Sequence, residues 1–362
     1  MKVLDNIIKE LESNGSSCFF VGGAVRDKLL DNKIYDYDIE VYGINYEELK
    51  SILTKYGEII ANDKFYIVKI KQYSSFEFSI PRLEVSTGNL HSDYIIMPIT
   101  DYNYEEACKR RDFTVNAILS SCSRKTIIDP YNGIDDLRNR RLKHITLNFT
   151  DDNLRVLRAI RFSACLGFEI DMATQKLCSK MLENLDDISN QRFNNEFNIF
   201  IMGEYLNIGI KYFVKFLGEY FKLYNYNYFD FRSIDDCNNR FIRICIFFYN
   251  FRKNDLQYML KRCLIKRNEI SKIMIIISTD FRLINDFYKL TKVFSQDEIV
   301  ILYKYILNVD ITGLYTCYIK LKSIYDGNYF IKKGVEKIEI SNMKKIVIID
   351  KLKEYNSCNK II

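Results

Sequence analysis

Hydrophobic and polar positions follow two different periods along the chain. Residues 3–13 carry apolar side chains at helical spacing, and residues 23–30 predict a second, short helix. Alternating or continuous apolar runs predict strands at CFFVG (18–22), DYDIEVY (36–42), FYIVKIKQY (65–73) and FEFSI (76–80). From residue 151 the helical spacing returns in DDNLRVLRAIRFSACLGF, which begins with a capping-type acid. The pattern therefore predicts mixed strands and helices first and helices afterwards.

Turn-forming residues are concentrated in the first part of the chain. All three prolines and half of the fourteen glycines lie within the first 133 residues. Because such residues punctuate strands and loops, we predict an α/β head up to about residue 145 and an all-helical remainder. The segment 84–104 has no clear period and is predicted to be a flexible loop.

Composition narrows the class of protein. A formal charge of +6 permits a polyanionic partner but does not demand one. Ten cysteines without a C-x-x-C pair argue against a metal knuckle or a disulfide framework. No apolar run is long enough to span a bilayer, so we expect a soluble, cytoplasmic protein with no membrane partner. Only two histidines are present, which excludes sites built on histidine clusters.

Two acids at alternating positions of a predicted strand are the first candidate for chemistry. Asp36 and Asp38 would point to one side, with Glu40 next along it. Paired carboxylates of this kind suit Mg²⁺, which completes its shell with water and substrate phosphates. A solvated strand face is the simpler interpretation. Glu77, on a strand predicted to neighbour the first, adds a third carboxylate and favours the metal-site interpretation, although an exposed glutamate remains the alternative.

A glycine pair precedes those acids. Gly22 and Gly23 lie between a predicted strand and a predicted helix, where backbone N–H groups can approach phosphate oxygens, and Arg26 follows in the first turn. The pattern is G-G-A-V-R-D rather than G-x-G-x-x-G, so a dinucleotide-binding site is excluded on spacing.

Five segments in this order carry a family resemblance. They are VGGAVRD (21–27), YDYDIEVYG (35–43), RRDFTVNAI (110–118), DPYNGIDDL (129–137) and DDNLRVLRAIRF (151–162). The order resembles class II tRNA nucleotidyltransferases, which belong with bacterial poly(A) polymerases to the DNA polymerase beta-like nucleotidyltransferase superfamily. Counting NQRFNNEF (190–197), a weaker motif, the resemblance covers roughly residues 16–200. It implies an α+β head with a small mixed sheet at 1–145, a helical neck at 146–220, and a helical body and tail at 221–362 that hold tRNA.

The resemblance also implies roles for individual residues. Asp36 and Asp38 match the catalytic metal ligands, and Glu77 matches an acid described beside them. In RRDFTVNA the matching residues would fix the incoming nucleotide, including its ribose 2′-hydroxyl; they are Arg111, Asp112 and Asn116. The segment DPYNGIDDL resembles a hinge between head and neck, and no chemistry is expected of it.

The stretch DDNLR matches a base-reading motif, E-D-x-x-R, at Asp152 and Arg155. Cytosine and adenine both present an exocyclic amine beside an unprotonated ring nitrogen, so a carboxylate and an arginine could select them and reject guanine and uracil. The two residues are three apart, which predicts that they share one helix face; a salt bridge between them is the alternative. Arg158 and Arg161 would meet RNA or triphosphate, or form salt bridges within the neck.

These observations predict an enzyme that adds or repairs the 3′-terminal CCA of tRNA from CTP and ATP with Mg²⁺. Its partners would be the tRNA acceptor end and the two nucleotides; no protein partner is indicated. A basic helix expected within residues 251–272 would contact tRNA phosphates or simply be solvated. The alternatives are a poly(A) polymerase, a partial CC-adding or A-adding enzyme, and a catalytically silent RNA-binding protein.

Overall fold

The structure, a computed structural model, describes residues 2–86, 94–99, 101–221, 237–249, 256–263 and 265–362. The chain divides into two compact units, Met1–Glu196 and Phe197–Ile362. The first contains every described strand. The described part of the second is built from helices joined by turns and short loops.

The first unit begins with the elements that carry its sheet. Its strands are β1 (Ser17–Val21), β2 (Tyr37–Tyr42), β3 (Ile59–Asn62), β4 (Ile67–Ile70), β5 (Phe76–Ser79), β6 (Arg82–Ser86), β7 (Tyr94–Pro98), β8 (Leu119–Ser121), β9 (Ile127–Ile128), β10 (Arg141–Leu142) and β11 (Glu169–Ile170). Its α-helices are α1 (Lys2–Ser13), α2 (Gly23–Leu29), α3 (Tyr46–Thr54), α4 (Tyr104–Cys108), α5 (Gly133–Arg138), α6 (Leu154–Leu166), α7 (Met172–Lys180) and the start of α8 (Asn190–Ile201).

Seven strands form one mixed sheet in the order β3-β4-β5-β2-β1-β8-β9. β2 and β5 are parallel, whereas β1 pairs antiparallel with both β2 and β8. Ile39 and Val41 of β2 are fully buried in one core with Leu4, Ile7 and Leu11 of α1. The helical spacing of α1 thus places its apolar face on the sheet. The predicted α+β head with a small mixed sheet is confirmed.

Most strand predictions hold, and the predicted loop at 84–104 needs correction. Within it, β6 and β7 form an antiparallel pair in which Val85 opposes Ile95, and α4 begins at Tyr104. Asn103 caps α4, because its side chain accepts a hydrogen bond from the backbone of Glu106. Cross-strand pairing therefore orders a segment whose sequence has no period. Residues 87–93 and 100 lie outside the described residues.

The prediction of helices alone after residue 145 is also corrected. Leu142 of β10 lies beside Ile170 of β11 in a parallel pair, so a strand follows α6. Gly167 ends α6 with a φ of +69°, a left-handed conformation that reverses the chain toward β11. The first compact unit accordingly extends to Glu196.

The second unit contains the end of α8 and nine further described helices. They are α9 (Leu206–Leu217), α10 (Arg240–Tyr249), α11 (Leu256–Arg262), α12 (Arg267–Ser278), α13 (Ile284–Leu290), α14 (Gln296–Leu307), α15 (Thr312–Ile324), α16 (Gly327–Lys332) and α17 (Ile340–Asn359). Among the described residues, no helix is both long and apolar enough to cross a membrane.

The basic segment 251–272 contains two helices where one was predicted. α11 ends at Arg262 and α12 begins at Arg267, because the backbone at Lys266 is extended. The Glu269 carboxylate accepts a hydrogen bond from the Lys266 backbone N–H and so starts a new helix. Residues 251–255 and 264 of this segment lie outside the described part of the chain.

Candidate functional site

An open cleft of about 530 Å³ in the first unit collects residues from four of the motif segments and from α8. Its lining comprises Gly22, Gly23, Arg26, Asp38, Glu84, Arg110, Arg111, Asp112, Asn116, Asp152, Leu154, Arg155, Arg158, Arg161, Phe162 and Arg192. All ten residues predicted to bind nucleotide are among them, together with one of the predicted metal ligands. Positions up to 170 residues apart in sequence, Gly22 and Arg192, thus share one surface.

The acids lie on neighbouring strands. Asp38 of β2 is directly opposite Glu77 of the parallel strand β5, and Asp36 immediately precedes β2. Although the Asp38 side chain is exposed, the surrounding protein removes enough water to raise its pKa, and the negative charges of Glu77 and Asp36 act in the same direction. A carboxylate in these surroundings favours a nearby cation.

The third acid already has a partner. The Oε2 atom of Glu77 is 2.9 Å from Nζ of Lys69 on β4. No group of three or more potential metal ligands occurs among the described residues. The predicted donor set for a metal thus stays the carboxylate pair of Asp36 and Asp38, whose negative charges act on each other. This number suits Mg²⁺, which takes its remaining ligands from water and phosphate.

Gly22 brings the backbone close to the acids. Its φ is +66°, and an added Cβ would lie 3.2 Å from Nη1 of Arg111 and 3.6 Å from Oδ2 of Asp38. Glycine is required here both by the backbone conformation and by the available space. The turn that ends β1 thus lies against a predicted metal ligand and a predicted nucleotide ligand.

Glu40 is a site residue whose role the sequence did not reveal. It is fully buried, and its Oε1 accepts hydrogen bonds from Nη2 of Arg110 at 2.6 Å and Nη2 of Arg111 at 2.7 Å. The Tyr42 hydroxyl donates to Oε2 at 3.1 Å. Although burial disfavours the carboxylate, the charges of Arg111 and Arg110 outweigh it and lower the pKa of Glu40. The only sequence signal was its place on the same strand face as Asp36 and Asp38.

Asp112 organises a second buried group. It accepts hydrogen bonds from Nε of Arg158 at 2.7 Å and from the Asn116 side-chain amide at 2.8 Å. The Asn116 oxygen in turn accepts from Nη1 of Arg26 at 2.8 Å. Burial opposes ionisation of Asp112, but the neighbouring charge of Arg158 dominates and holds its pKa below the ordinary range. Residues from α2, the RRDFTVNA segment and α6 are thereby joined.

Asp152 and Arg155 lie in the cleft but not on one helix face, which corrects the prediction. Asp152 has an extended backbone and precedes α6; its Oδ1 accepts a hydrogen bond at 3.0 Å from the backbone N–H of Leu154, the first residue of the helix. Its Oδ2 accepts from Nη2 of Arg192 at 2.8 Å. Arg155 donates instead to the backbone oxygens of Asn148 at 2.5 Å and Arg110 at 2.6 Å. None of these contacts joins Asp152 to Arg155. They therefore differ from the predicted alternative, a salt bridge between the two residues.

The outer arginines of α6 are held by α8. Nε of Arg161 donates to Oε2 of Glu196 at 2.6 Å, and Nη1 of Arg158 lies 3.7 Å from the other carboxylate oxygen. The guanidinium of Arg161 is 3.7 Å from the ring centre of the buried Phe162. Glu196 and Arg192 belong to NQRFNNEF, a segment that the sequence marked without giving its residues a role.

The comparisons with known proteins agree with this geometry. Residues 18–143 match the family model described as the poly A polymerase head domain. The chain is 33% identical over 213 residues to a CCA-adding enzyme of Leuconostoc citreum, covering 55% of this chain and 49% of that protein. It is 37% identical over 169 residues to a multifunctional CCA protein of Xylella fastidiosa, covering 46% and 39%. In these matches the chain spans about half the length of the relatives or less.

Solved structures share the fold over nearly the whole chain. The Thermotoga maritima CCA-adding enzyme in complex with tRNA-CCA matches with a TM-score of 0.67 and 21% identity, covering 97% of this chain and 91% of that one. The Bacillus stearothermophilus CCA-adding enzyme in complex with CTP gives a TM-score of 0.67 at 20% identity, covering 98% and 97%. Residues 18–143 are therefore similar to the poly A polymerase head domain, and the chain shares its fold with solved CCA-adding enzymes.

Proposed function

We propose that the protein adds or repairs the 3′-terminal CCA of tRNA with CTP and ATP, without a nucleic-acid template. The observation that carries the proposal is that Asp38, Asp152 and Arg155 line the same cleft. Nucleotidyl transfer needs a carboxylate-held metal at the α-phosphate, and selection without a template needs side chains that read the base. Relatives named for CCA addition support the same reaction.

Base selection would fall to Asp152 and Arg155. Each keeps hydrogen-bonding capacity after its protein contacts, since a carboxylate oxygen holds two lone pairs and a guanidinium carries five N–H groups. Asp152 would accept from the exocyclic amine of cytosine or adenine, and Arg155 would donate to the adjacent ring nitrogen. Guanine and uracil present the opposite pattern, which would leave polar groups unpaired and so be rejected.

The remaining cleft residues would bind and orient the nucleotide. Arg26, Arg158 and Arg161 would face the triphosphate, while Arg111, Asp112 and Asn116 would hold the ribose and its 2′-hydroxyl. Oriented in this way, the 3′-oxygen of tRNA forms a bond to the α-phosphorus as the bond to the bridging oxygen breaks, and pyrophosphate leaves. Asp36 and Asp38, with Glu77 nearby, would hold Mg²⁺, which would supply positive charge for activating the hydroxyl and stabilising the leaving group.

The partners and location follow from the same proposal. The helical second unit would bind tRNA, as a body and tail that follow a neck. A fold shared with proteins solved in complexes with tRNA-CCA and CTP supports this assignment. All ten cysteines are free thiols, which suits the reducing cytoplasm.

The alternatives keep the chemistry and change the product. A poly(A) polymerase would use the same head, consistent with the description of the matching family model. A CC-adding or A-adding enzyme would share the cleft as well. A silent RNA-binding protein is less consistent with a cleft that retains Asp38, Asp152 and Arg155 together.

The test uses purified protein, Mg²⁺ and two tRNA transcripts, one lacking CCA and one lacking only the final A. Labelled CTP and ATP are supplied separately and together, and products are resolved to single nucleotides. We expect extension of the first transcript to stop after CCA. A poly(A) ladder, or termination after CC, would replace the proposed product, and tRNA binding without any incorporation would favour the silent RNA-binding protein.

The matched variants separate chemistry from folding. Asp36→Asn and Asp38→Asn should abolish incorporation while tRNA binding persists. Asp5→Asn, a change at an exposed acid of α1, is the control and should retain full activity. Loss of activity in the control, or retention in both active-site variants, would contradict the assignment of the metal ligands.

A further inference from the structure

Glu40 joins the strand of the acids to the segment that carries the base-reading arginine. It is fully buried on β2, two residues beyond Asp38. Its Oε1 accepts a hydrogen bond from Nη2 of Arg110 at 2.6 Å. The backbone oxygen of the same Arg110 accepts a hydrogen bond from Nη2 of Arg155 at 2.6 Å. Two short hydrogen bonds through one residue therefore connect Glu40 to Arg155.

Arg110 has no other described anchor of comparable strength for its side chain. It is one of the few residues in the described part of the chain with a buried polar atom, its Nε, that lacks a hydrogen-bond partner. The Glu40 carboxylate is thus the principal group that holds this guanidinium, and with it the position of the Arg110 carbonyl. Because carboxylate and guanidinium are both ionised, loss of the carboxylate charge removes the Coulombic attraction between them, leaves a buried cation without its counter-charge and so weakens the anchor.

We propose that Glu40 is a positioning residue for base selection: through Arg110 it holds the carbonyl that fixes the Arg155 guanidinium against the incoming base. The inference rests on the proposed function, because it assigns Arg155 to the base. Glu40 does not line the cleft, so it acts only through the arginines it binds. Removing its charge should reduce discrimination between bases more than it reduces the reaction as a whole.

Glu40→Gln is the direct variant. Glutamine keeps the size of the side chain and one oxygen for Arg110 and Arg111, but it carries no negative charge, and its amide N–H groups would face the Tyr42 hydroxyl that donates to Oε2 of Glu40. The Arg110 carbonyl then moves, and Arg155 loses its alignment with the base. Because a displacement of about 1 Å can change reactivity a hundredfold, we expect the ratio of kcat/KM for CTP over UTP to fall by roughly tenfold to a hundredfold.

The measurement follows incorporation of CTP and of UTP, each supplied alone, on the transcript lacking CCA. Asp136→Asn is the matched control. Asp136 is also a buried carboxylate, bound by Nε of Arg141 at 2.6 Å and by the Thr114 hydroxyl at 2.6 Å, and it does not line the cleft. A general loss of stability should reduce the incorporation of CTP and of UTP equally. The control's ratio of kcat/KM for CTP over UTP should therefore match that of the wild type.

Arg110→Lys keeps the inference testable if Glu40→Gln does not fold. Lysine retains the charge, removes the unpartnered Nε, and cannot present the same forked contact to Glu40. It should lower the CTP/UTP ratio in the same direction. An unchanged ratio in the folded variant or variants would overturn the inference, and so would an equal fall in the Asp136→Asn control.

Direct binding separates this inference from the proposed function. With Mg²⁺ and no tRNA, the wild type should bind CTP more tightly than UTP, and Glu40→Gln should lose that preference. If the wild type incorporates no nucleotide yet shows this preference and its loss, the proposed reaction fails and the role of Glu40 stands. Equal binding of CTP and UTP by the wild type would overturn the inference.

Discussion

At the scale of single residues, the cleft depends on backbone that no other amino acid can replace. Gly22→Ala would place a methyl group 3.2 Å from Nη1 of Arg111 at a φ of +66°. We expect a loss of stability on the order of 1–3 kcal/mol together with a large loss of nucleotide incorporation. Urea unfolding and incorporation assays measure the two effects separately.

Gly15→Ala is the control for backbone strain alone. Gly15 also has a positive φ, +87°, but an added Cβ would have nothing within 4 Å. This variant should lose stability and keep its activity once folded. If both variants lose activity to the same extent, the close approach of Gly22 to the site is not what matters.

The raised pKa of Asp38 gives a prediction with a definite sign. Its ordinary pKa is 3.8, and the folded value lies above it. Its ionisation therefore destabilises the metal-free fold, an effect that is absent below the ordinary pKa, grows between the ordinary and the folded pKa, and is complete above the folded pKa. In a chelating buffer, Asp38→Asn should be more stable relative to wild type at pH 7 than at pH 3.5, as followed by thermal unfolding.

Added Mg²⁺ should act in the opposite direction. A ligand that binds only the folded state raises the melting temperature, so Mg²⁺ should stabilise the wild type and Asp5→Asn, and Asp38→Asn much less. Equal stabilisation of all three proteins would contradict the assignment of Asp38 as a metal ligand.

At the scale of elements, α8 determines how α6 presents its arginines. Glu196→Gln should cost about 1–3 kcal/mol of stability, because it leaves Arg161 without a charged partner in a largely buried position. Affinity for CTP and ATP should fall severalfold and equally, since Glu196 contacts the arginines assigned to the triphosphate and not Arg155. Nucleotide titration and urea unfolding test both parts.

Gln191→Ala, an exposed change on the same helix, is the comparison. It should leave affinity and stability unchanged. A selective loss of affinity for only one of the two nucleotides in Glu196→Gln would contradict the assignment of Arg158 and Arg161 to the triphosphate.

The elements also show what local sequence can and cannot predict. β1, α2 and β2 were predicted to within about a residue, because glycines and alternating side chains define them locally. The strands β6 and β7 were not predicted, because each is ordered by its pairing with the other and not by a pattern in its own sequence. Asp152 lies two residues before the start of α6 and not within the predicted helix, and helix boundaries of this kind are poorly marked in the sequence.

Within the site, the family resemblance predicted which residues line the cleft. It did not predict the hydrogen-bond partners of those residues. Arg111, Asp112 and Arg155 were predicted as nucleotide ligands, and they line it. Their contacts with Glu40, with Arg158 and with the Arg110 carbonyl join residues 45 to 71 positions apart in sequence, and a periodic pattern contains no information on such pairings.

At the scale of the whole molecule, every residue that lines the cleft lies in the first unit. With the full chain, CTP and Mg²⁺ should slow amide hydrogen exchange around residues 22–26, 110–116 and 152–161. Amides of α14 in the second unit should serve as an unchanged reference. Mass spectrometry of exchanging peptides gives the comparison.

Transfer RNA should add protection that nucleotide alone does not give. We expect the added protection to include peptides of the second unit, the part proposed to bind tRNA. Protection confined to the first unit with tRNA present would contradict that role and would favour recognition by the head and neck alone.

The ion pairs of the cleft limit which amino-acid replacements such a sequence can accept during evolution. Six of its seven arginines have carboxylate partners; the pairs are Arg26–Asp27, Arg110–Glu40, Arg111–Glu40, Arg158–Asp112, Arg161–Glu196 and Arg192–Asp152. Losing one member leaves the charge of the other without its partner, so single replacements should be disfavoured and compensating double replacements tolerated. A lineage that loses the acid at position 40 should change the arginines at 110 and 111 as well, because both are paired with that carboxylate.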